Sequence, residues 1–216
     1  RTRSSVADAA PHEMTDMRVI AHRGASGSYP EHSRATYLEA IARGADGLET
    51  DVRLTADGHL VCWHDATTDR ITGVAGTVHA MTLDQLRALD VMRGRELPDG
   101  FGGLRDQLVT LPELLQLMRD AGRPLILALE LKQPSPDSAA LDAAVLAALD
   151  DAGWNPRDGR IGDVRVDLMS FWPQSIAGFR DHVDPSLLSI LVDDSTPEKL
   201  ARWVTRETGG LVSGTA

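Results

Sequence analysis

The 216-residue sequence has a single cysteine, Cys62, so no intramolecular disulfide can staple the fold and no cysteine-rich zinc centre can form. No apolar run approaches the roughly 18 residues of a membrane span, and no signal-peptide pattern precedes the first strand-like segment. Positive charge is scarce: 22 Lys and Arg face 32 Asp and Glu, giving a net charge of −10 and a pI of about 5.1. A general nucleic-acid surface needs clustered Lys and Arg, so none is expected, and stable membrane insertion is not expected either. Only Lys132 and Lys199 are lysines, and any phosphate-bearing substrate must find its positive charge locally. Repeats, low-complexity tracts and linkers are also missing. What is present is 42% hydrophobic residues, enough for one core of ordinary size. A cytoplasmic protein is expected, with secretion left open because the chain begins at Arg1 rather than Met.

Residues 1–16 are polar and without periodicity, which reads as a flexible arm ahead of a single domain over 17–216. "RVIAH" (18–22) is a short strand followed by the turn-rich "RGASGSYPEHS" and then by "RATYLEAIARG", helical in spacing with Gly44 as its C-cap. Strands are expected at 47–53, 59–64, 125–132, 164–171 and 186–192, and helices over 137–153 and 195–210. Strands alternating with helices point to a parallel sheet, either a (β/α)₈ barrel or a doubly wound sheet. One connection breaks the alternation. Between the second and third strands "ADGH" signals a hairpin with a two-residue Asp57-Gly58 loop, a register that sets Asp51 opposite His64 with Cβ atoms about 4.5–5.5 Å apart.

Period two also puts Glu49 and Asp51 on one face of the second strand. Two carboxylates beside an imidazole repel each other unless a cation or proton intervenes, and oxygen ligands favour a hard divalent ion, Mg²⁺ or Ca²⁺. In "LALELK", Glu130 and Lys132 share a face at the end of an otherwise apolar strand, where burying both without partners would be costly. His22 and Arg23 fall where the first strand ends, the place at which parallel α/β folds put their chemistry.

"AHRGASGSYPEHS", "LETDVRLTADGHLVCWHD", "RITGVAGTV", "LVTLPELL", "LELK" and "MSF" occur in that order, and together they resemble the glycerophosphodiester phosphodiesterase family over residues 18–192. The resemblance implies a TIM (β/α)₈ barrel, dependence on one divalent cation, and hydrolysis of a small-molecule glycerophosphodiester to glycerol 3-phosphate and an alcohol. It implies Glu49, Asp51 and Glu130 as metal ligands and His22 and His64 as the acid/base pair. Arg23 and Lys132 match groups near the phosphate, and Phe171 and Trp172 a segment near the substrate, where aromatic core packing is the competing reading.

The family's "PENT" is replaced by Pro30, Glu31, His32 and Ser33, and His32 is expected to be a tolerated loop substitution rather than an extra ligand. His12, His59, His79 and His182 lack companions and are expected at the surface. After six strands the last two βα units of a barrel are not found, although Leu211 and Val212 could begin a seventh strand. Two rivals stand beside the hydrolase: a phospholipase D-like lyase on the same barrel, which would release a cyclic phosphate, and a non-catalytic binding module.

Overall fold

A computed structural model describes residues 17–132 and 138–192. The expected arm with His12, the helix over 195–210, Lys199 and the start of a strand at Leu211 and Val212 lie outside the described residues. In chain order the elements are β1 (Ile20–His22), α1 (Arg34–Ala42), β2 (Gly47–Leu54), β3 (Leu60–Cys62), α2 (Asp69–Thr72), α3 (Leu83–Arg87), α4 (Leu111–Asp120), β4 (Leu125–Leu131), α5 (Ser138–Asp151), β5 (Arg160–Ile161), β6 (Val164–Ser170), α6 (Pro173–Phe179) and β7 (Leu188–Ile190).

Local chemistry accounts for the helix starts. Ser33 accepts a hydrogen bond from Thr36 N at the head of α1, and Thr110 and Glu113 form a reciprocal capping box at the head of α4, with Pro112 in its first turn. Gly44, in the left-handed conformation (φ +81°), closes the turn after α1 as expected.

The parallel strands run in the order β1-β2-β4-β6-β7, each beside its predecessor. A doubly wound sheet reverses its strand order partway; this one does not, so the winding is that of a barrel. β3 and β5 are antiparallel additions to β2 and β6, and β5 had no signal in the sequence. Of the six strands expected, five are therefore barrel strands. Leu48, Leu127, Leu129, Val166 and Leu168 pack with Leu111, Leu114 and Met118 of α4 and Leu141 and Val145 of α5 in the main core. A second apolar cluster around Val61, Trp63, Leu86 and Met92 fills the space beneath the long segment between β3 and α4. Among the described residues no helix is long and apolar enough to cross a membrane.

The hairpin register differs from the expected one by a residue. β2 and β3 pair Val52 with Cys62 and Leu54 with Leu60, and Thr55 N donates to His59 O, so the loop is Ala56-Asp57-Gly58. Thr55 causes the difference: its Oγ1 donates to Asp57 Oδ1 (2.6 Å) and accepts from His59 N (2.9 Å), while Gly58 takes the left-handed conformation (φ +82°) that three-residue hairpin loops favour. Asp51 consequently faces Trp63, whose N–H donates to Asp51 O at 2.9 Å, and His64 lies beyond the end of β3.

Candidate active site

The parallel registers align the acidic residues. His22 is level with Glu49 across β1 and β2, and Asp51 is level with Glu130 across β2 and β4, so in-register neighbours share a face of the sheet. Glu49, Asp51 and Glu130 are all buried and offer carboxylate oxygens within 4.8 Å of one another. Burial, with Asp51 nearby, pushes the Glu49 carboxyl up to about 8. Burial likewise pushes Glu130 up to about 7, against the hydrogen bond from Lys132. Burial also works to raise Asp51, but the His32 hydrogen bond and nearby positive charge outweigh it and hold this carboxyl well below the usual range. Asp51 Oδ1 is buried without an aligned hydrogen-bond donor; the Lys132 ammonium stands 3.1 Å away as an ion pair only. Three crowded, partly orphaned oxygen donors suit a hard divalent cation, so the residues present fit such an ion.

His32 is not an incidental loop residue. It is buried and left-handed (φ +59°), a conformation in which Asn, Asp and His are enriched. Its Nε2 lies 2.8 Å from Asp51 Oδ2 and its Nδ1 2.7 Å from the Tyr37 hydroxyl, which is 2.6 Å from Thr50 Oγ1. Burial lowers the His32 pKa, which favours the neutral ring. A neutral ring serves both neighbours if Tyr37 O–H donates to Nδ1 and Nε2–H donates to Asp51. The hydrogen bond, rather than a full charge on His32, then steadies the Asp51 anion.

His22 ends β1 with its side chain 71% exposed and Nε2 3.8 Å from Glu49 Oε2. Burial of its inner edge and the Arg23 charge lower its pKa. His64 has Nδ1 2.7 Å from Asp65 Oδ1 and lies close enough to Asp51 and His22 to act on both electrostatically. His64 therefore approaches Asp51 from the loop after β3 and not from a position directly opposite it. Asp65 also accepts from Arg70 Nε. Burial would raise the Asp65 carboxyl, but the bonds from Arg70 and His64 pull it down to about 2. Arg70 further donates to both oxygens of Glu31 (2.6 and 3.0 Å), and Glu31 accepts from Arg23 Nη1 (3.1 Å), so an ionic chain joins Arg23 to His64.

Arg23, left-handed at φ +57°, donates its backbone N–H to Glu49 Oε2 (2.9 Å), and its Nε lies 3.4 Å from Asp51 Oδ2. The following Gly24 is obligatory: a Cβ there would meet Thr36 Cγ2 at 2.5 Å and its backbone carbonyl at 2.9 Å. Lys132 Nζ bonds Glu130 Oε1 (2.6 Å) and lies 5.8 Å from the centre of the Phe171 ring. Phe171 and Trp172 are 49% and 38% exposed, so the core-packing reading fails for both, and Lys132 links Phe171 to the cluster. His59, His79 and His182 are exposed, as expected. Arg53, Asp65 and Arg70 escaped the sequence reading, although period two on β2 already placed Arg53 on the face of Glu49 and Asp51.

Carboxylates, imidazoles and cations gathered where parallel strands end define an enzyme-type site on a barrel, suited to an anionic substrate and a divalent cation. The sequence model of the glycerophosphoryl diester phosphodiesterase family matches residues 22–205, and the chain belongs to that family. It is 38% identical over 200 residues to "Probable glycerophosphodiester phosphodiesterase 1" of Mycobacterium tuberculosis, covering 92% of this chain and 70% of that protein. Over 102 residues it is 44% identical to a glycerophosphodiester phosphodiesterase of Caldanaerobacter subterraneus, covering 47% of this chain and 40% of that one. Its fold superposes on an Oleispira antarctica phosphodiesterase solved with the product sn-glycerol-3-phosphate, with a TM-score of 0.66, 25% identity, and coverage of 86% of this chain and 71% of the other.

Proposed function

We propose that the chain hydrolyses glycerophosphodiesters to glycerol 3-phosphate and an alcohol, with Mg²⁺ or Ca²⁺ on Glu49, Asp51 and Glu130 and with His22 and His64 as base and acid. The observation that carries this reading is the meeting of three carboxylates within 4.8 Å on neighbouring parallel strands, beside the end of the strand that bears His22. A cation held there supplies Lewis-acid polarisation of the phosphoryl oxygens.

The chain's own residues do the remaining work. His22 is accessible and inclined to the neutral ring, the form that takes a proton from the attacking hydroxyl: from water, which gives glycerol 3-phosphate directly, or from the neighbouring glycerol hydroxyl, which gives a cyclic phosphate that water then opens. Asp65 engages Nδ1 of His64, which leaves Nε2 to give a proton to the departing alcohol. Arg23 and Lys132, steadied by Glu31 and Glu130, set positive charge where negative charge develops on phosphorus-bound oxygen. Phe171, with Trp172 next to it, gives the substrate an apolar border. Such diesters are deacylated phospholipids, which places the reaction in lipid and glycerol breakdown. Release of glycerol 3-phosphate from several diesters, measured with and without a chelator, tests the proposal. No release from any diester would sink it, and release that ignores the chelator would remove the cation.

A further inference from the structure

Around the carboxylate cluster, positive charge is nearly all matched. Arg23 pairs with Glu31 at 3.1 Å, Lys132 with Glu130 at 2.6 Å and Arg70 with Glu31 at 2.6 Å. Arg53 is the exception. It follows Glu49 and Asp51 on the same face of β2, one step nearer the strand's C-terminal end, and it is partly buried. Its one hydrogen bond among the described residues runs from Nε to the backbone carbonyl of His64 at 2.8 Å, and no described carboxylate pairs with it. The planar fork of terminal N–H groups, which suits a carboxylate or phosphate bidentately, has no partner there. A tether for the His64 loop would need only the one bond. Burial works against the charge on Arg53 while Asp51, Asp65 and Glu130 act on it through space without bonding it, and an anionic ligand on the open fork would add the direct contacts that these carboxylates do not make.

We propose that Arg53 is a specificity-determining residue that selects glycerophosphodiesters whose alcohol carries an anionic group, a carboxylate or a phosphate. This rests on the reading of the site given above, in which His64 protonates the departing alcohol. Arg53 is anchored on the carbonyl of that same histidine, so substituents of the alcohol pass the guanidinium, whereas Arg23 and Lys132 are fixed on the carboxylates that surround the phosphate. An anionic substituent gains the fork's hydrogen bonds, and a trimethylammonium group meets like charge.

The test compares three diesters, with carboxylate-bearing, uncharged and trimethylammonium head groups, on the full chain as wild type, Arg53→Gln and Arg53→Lys. The wild type should show a kcat/KM for the anionic diester at least tenfold above that for the cationic one. Arg53→Gln should cut that ratio about tenfold, and Arg53→Lys, which keeps the charge but loses the planar fork, should hold only part of it. A wild type that prefers the cationic diester overturns the assignment without recourse to any variant. Equal losses on all three diesters in Arg53→Gln also overturn it, and would place Arg53 on the common phosphate. Were none of the diesters hydrolysed, the proposed activity fails separately, and the same unreactive compounds serve as calorimetric ligands. Arg53 keeps its role then only if the anionic diester binds more tightly than the cationic one in the wild type and loses that advantage in Arg53→Gln.

Discussion

His32 steadies Asp51 from behind, and its removal should separate two effects. His32→Ala takes the imidazole from the Tyr37 hydroxyl, which keeps Thr50 Oγ1, and from Asp51 Oδ2, which keeps only Arg23 Nε at 3.4 Å, a loss of about 1–3 kcal/mol in unfolding free energy. Removing such a partner of a metal ligand typically weakens divalent binding about 10- to 100-fold, and calorimetric titration with Mg²⁺ and Ca²⁺ should show this. An affinity unchanged in His32→Ala would reduce the residue to packing. His22→Ala and His64→Ala should each lower turnover roughly 10²-fold or more with folding intact. A diester with a nitrophenol leaving group should rescue the variant that lacks the acid, expected to be His64→Ala; rescue of His22→Ala alone would reverse the roles. Asp65 supplies one separable part of the pH dependence. Its folded pKa of about 2 lies below that of an unfolded Asp, so its contribution to stability is complete above pH 4 and is lost as pH falls from about 4 toward 2. Thermal unfolding across that window should show a shallower decline in Asp65→Asn than in the wild type.

At the level of elements the β2–β3 hairpin is the instructive one. Gly58 sits left-handed in open space, so Gly58→Ala should cost about 1–2 kcal/mol through backbone strain alone and Gly58→Asn less, as read by denaturant unfolding. The period-two face of Glu49 and Asp51, the buried run of β4 ending at Glu130, and His22 at the end of β1 were all legible from residue pattern, because the pleat leaves no freedom in which side a residue faces. The hairpin register was not, because a Thr55 side chain bonding its own loop has no periodic signature. Nor was the role of His32, which depends on a left-handed turn folding residue 32 back onto a strand 19 positions away. Sequence shows the departure from the family's Asn; only the fold shows that imidazole reaches Asp51 and Tyr37 together. The ion pairs of Arg70 with Glu31 and Asp65 were equally invisible, since their partners come from two separate loops.

For the molecule as a whole, the sheet thickens toward its middle. β4 is paired over six positions with β2 on one side and over six with β6 on the other, whereas β1 and β7 each hold three-position pairings. Hydrogen exchange should therefore be slowest in Leu125–Leu131, and β1 amides protected as strongly as those of β4 would contradict this picture of the sheet. The ionic chain from Arg23 through Glu31, Arg70 and Asp65 to His64 has a consequence of another kind. One half-exposed guanidinium clasps the loop after β1 to the loop after β3, so the Arg23 and His64 sides of the site share a single fastener. Residues joined in this way respond to substitution as a block. In a double-mutant cycle, Arg70→Gln and Asp65→Asn together should lose less activity than their separate losses predict, with a coupling of roughly 0.5–3 kcal/mol. Epistasis of that size would make positions 31, 65 and 70 change in concert under selection, even though the first two are 34 positions apart in the chain.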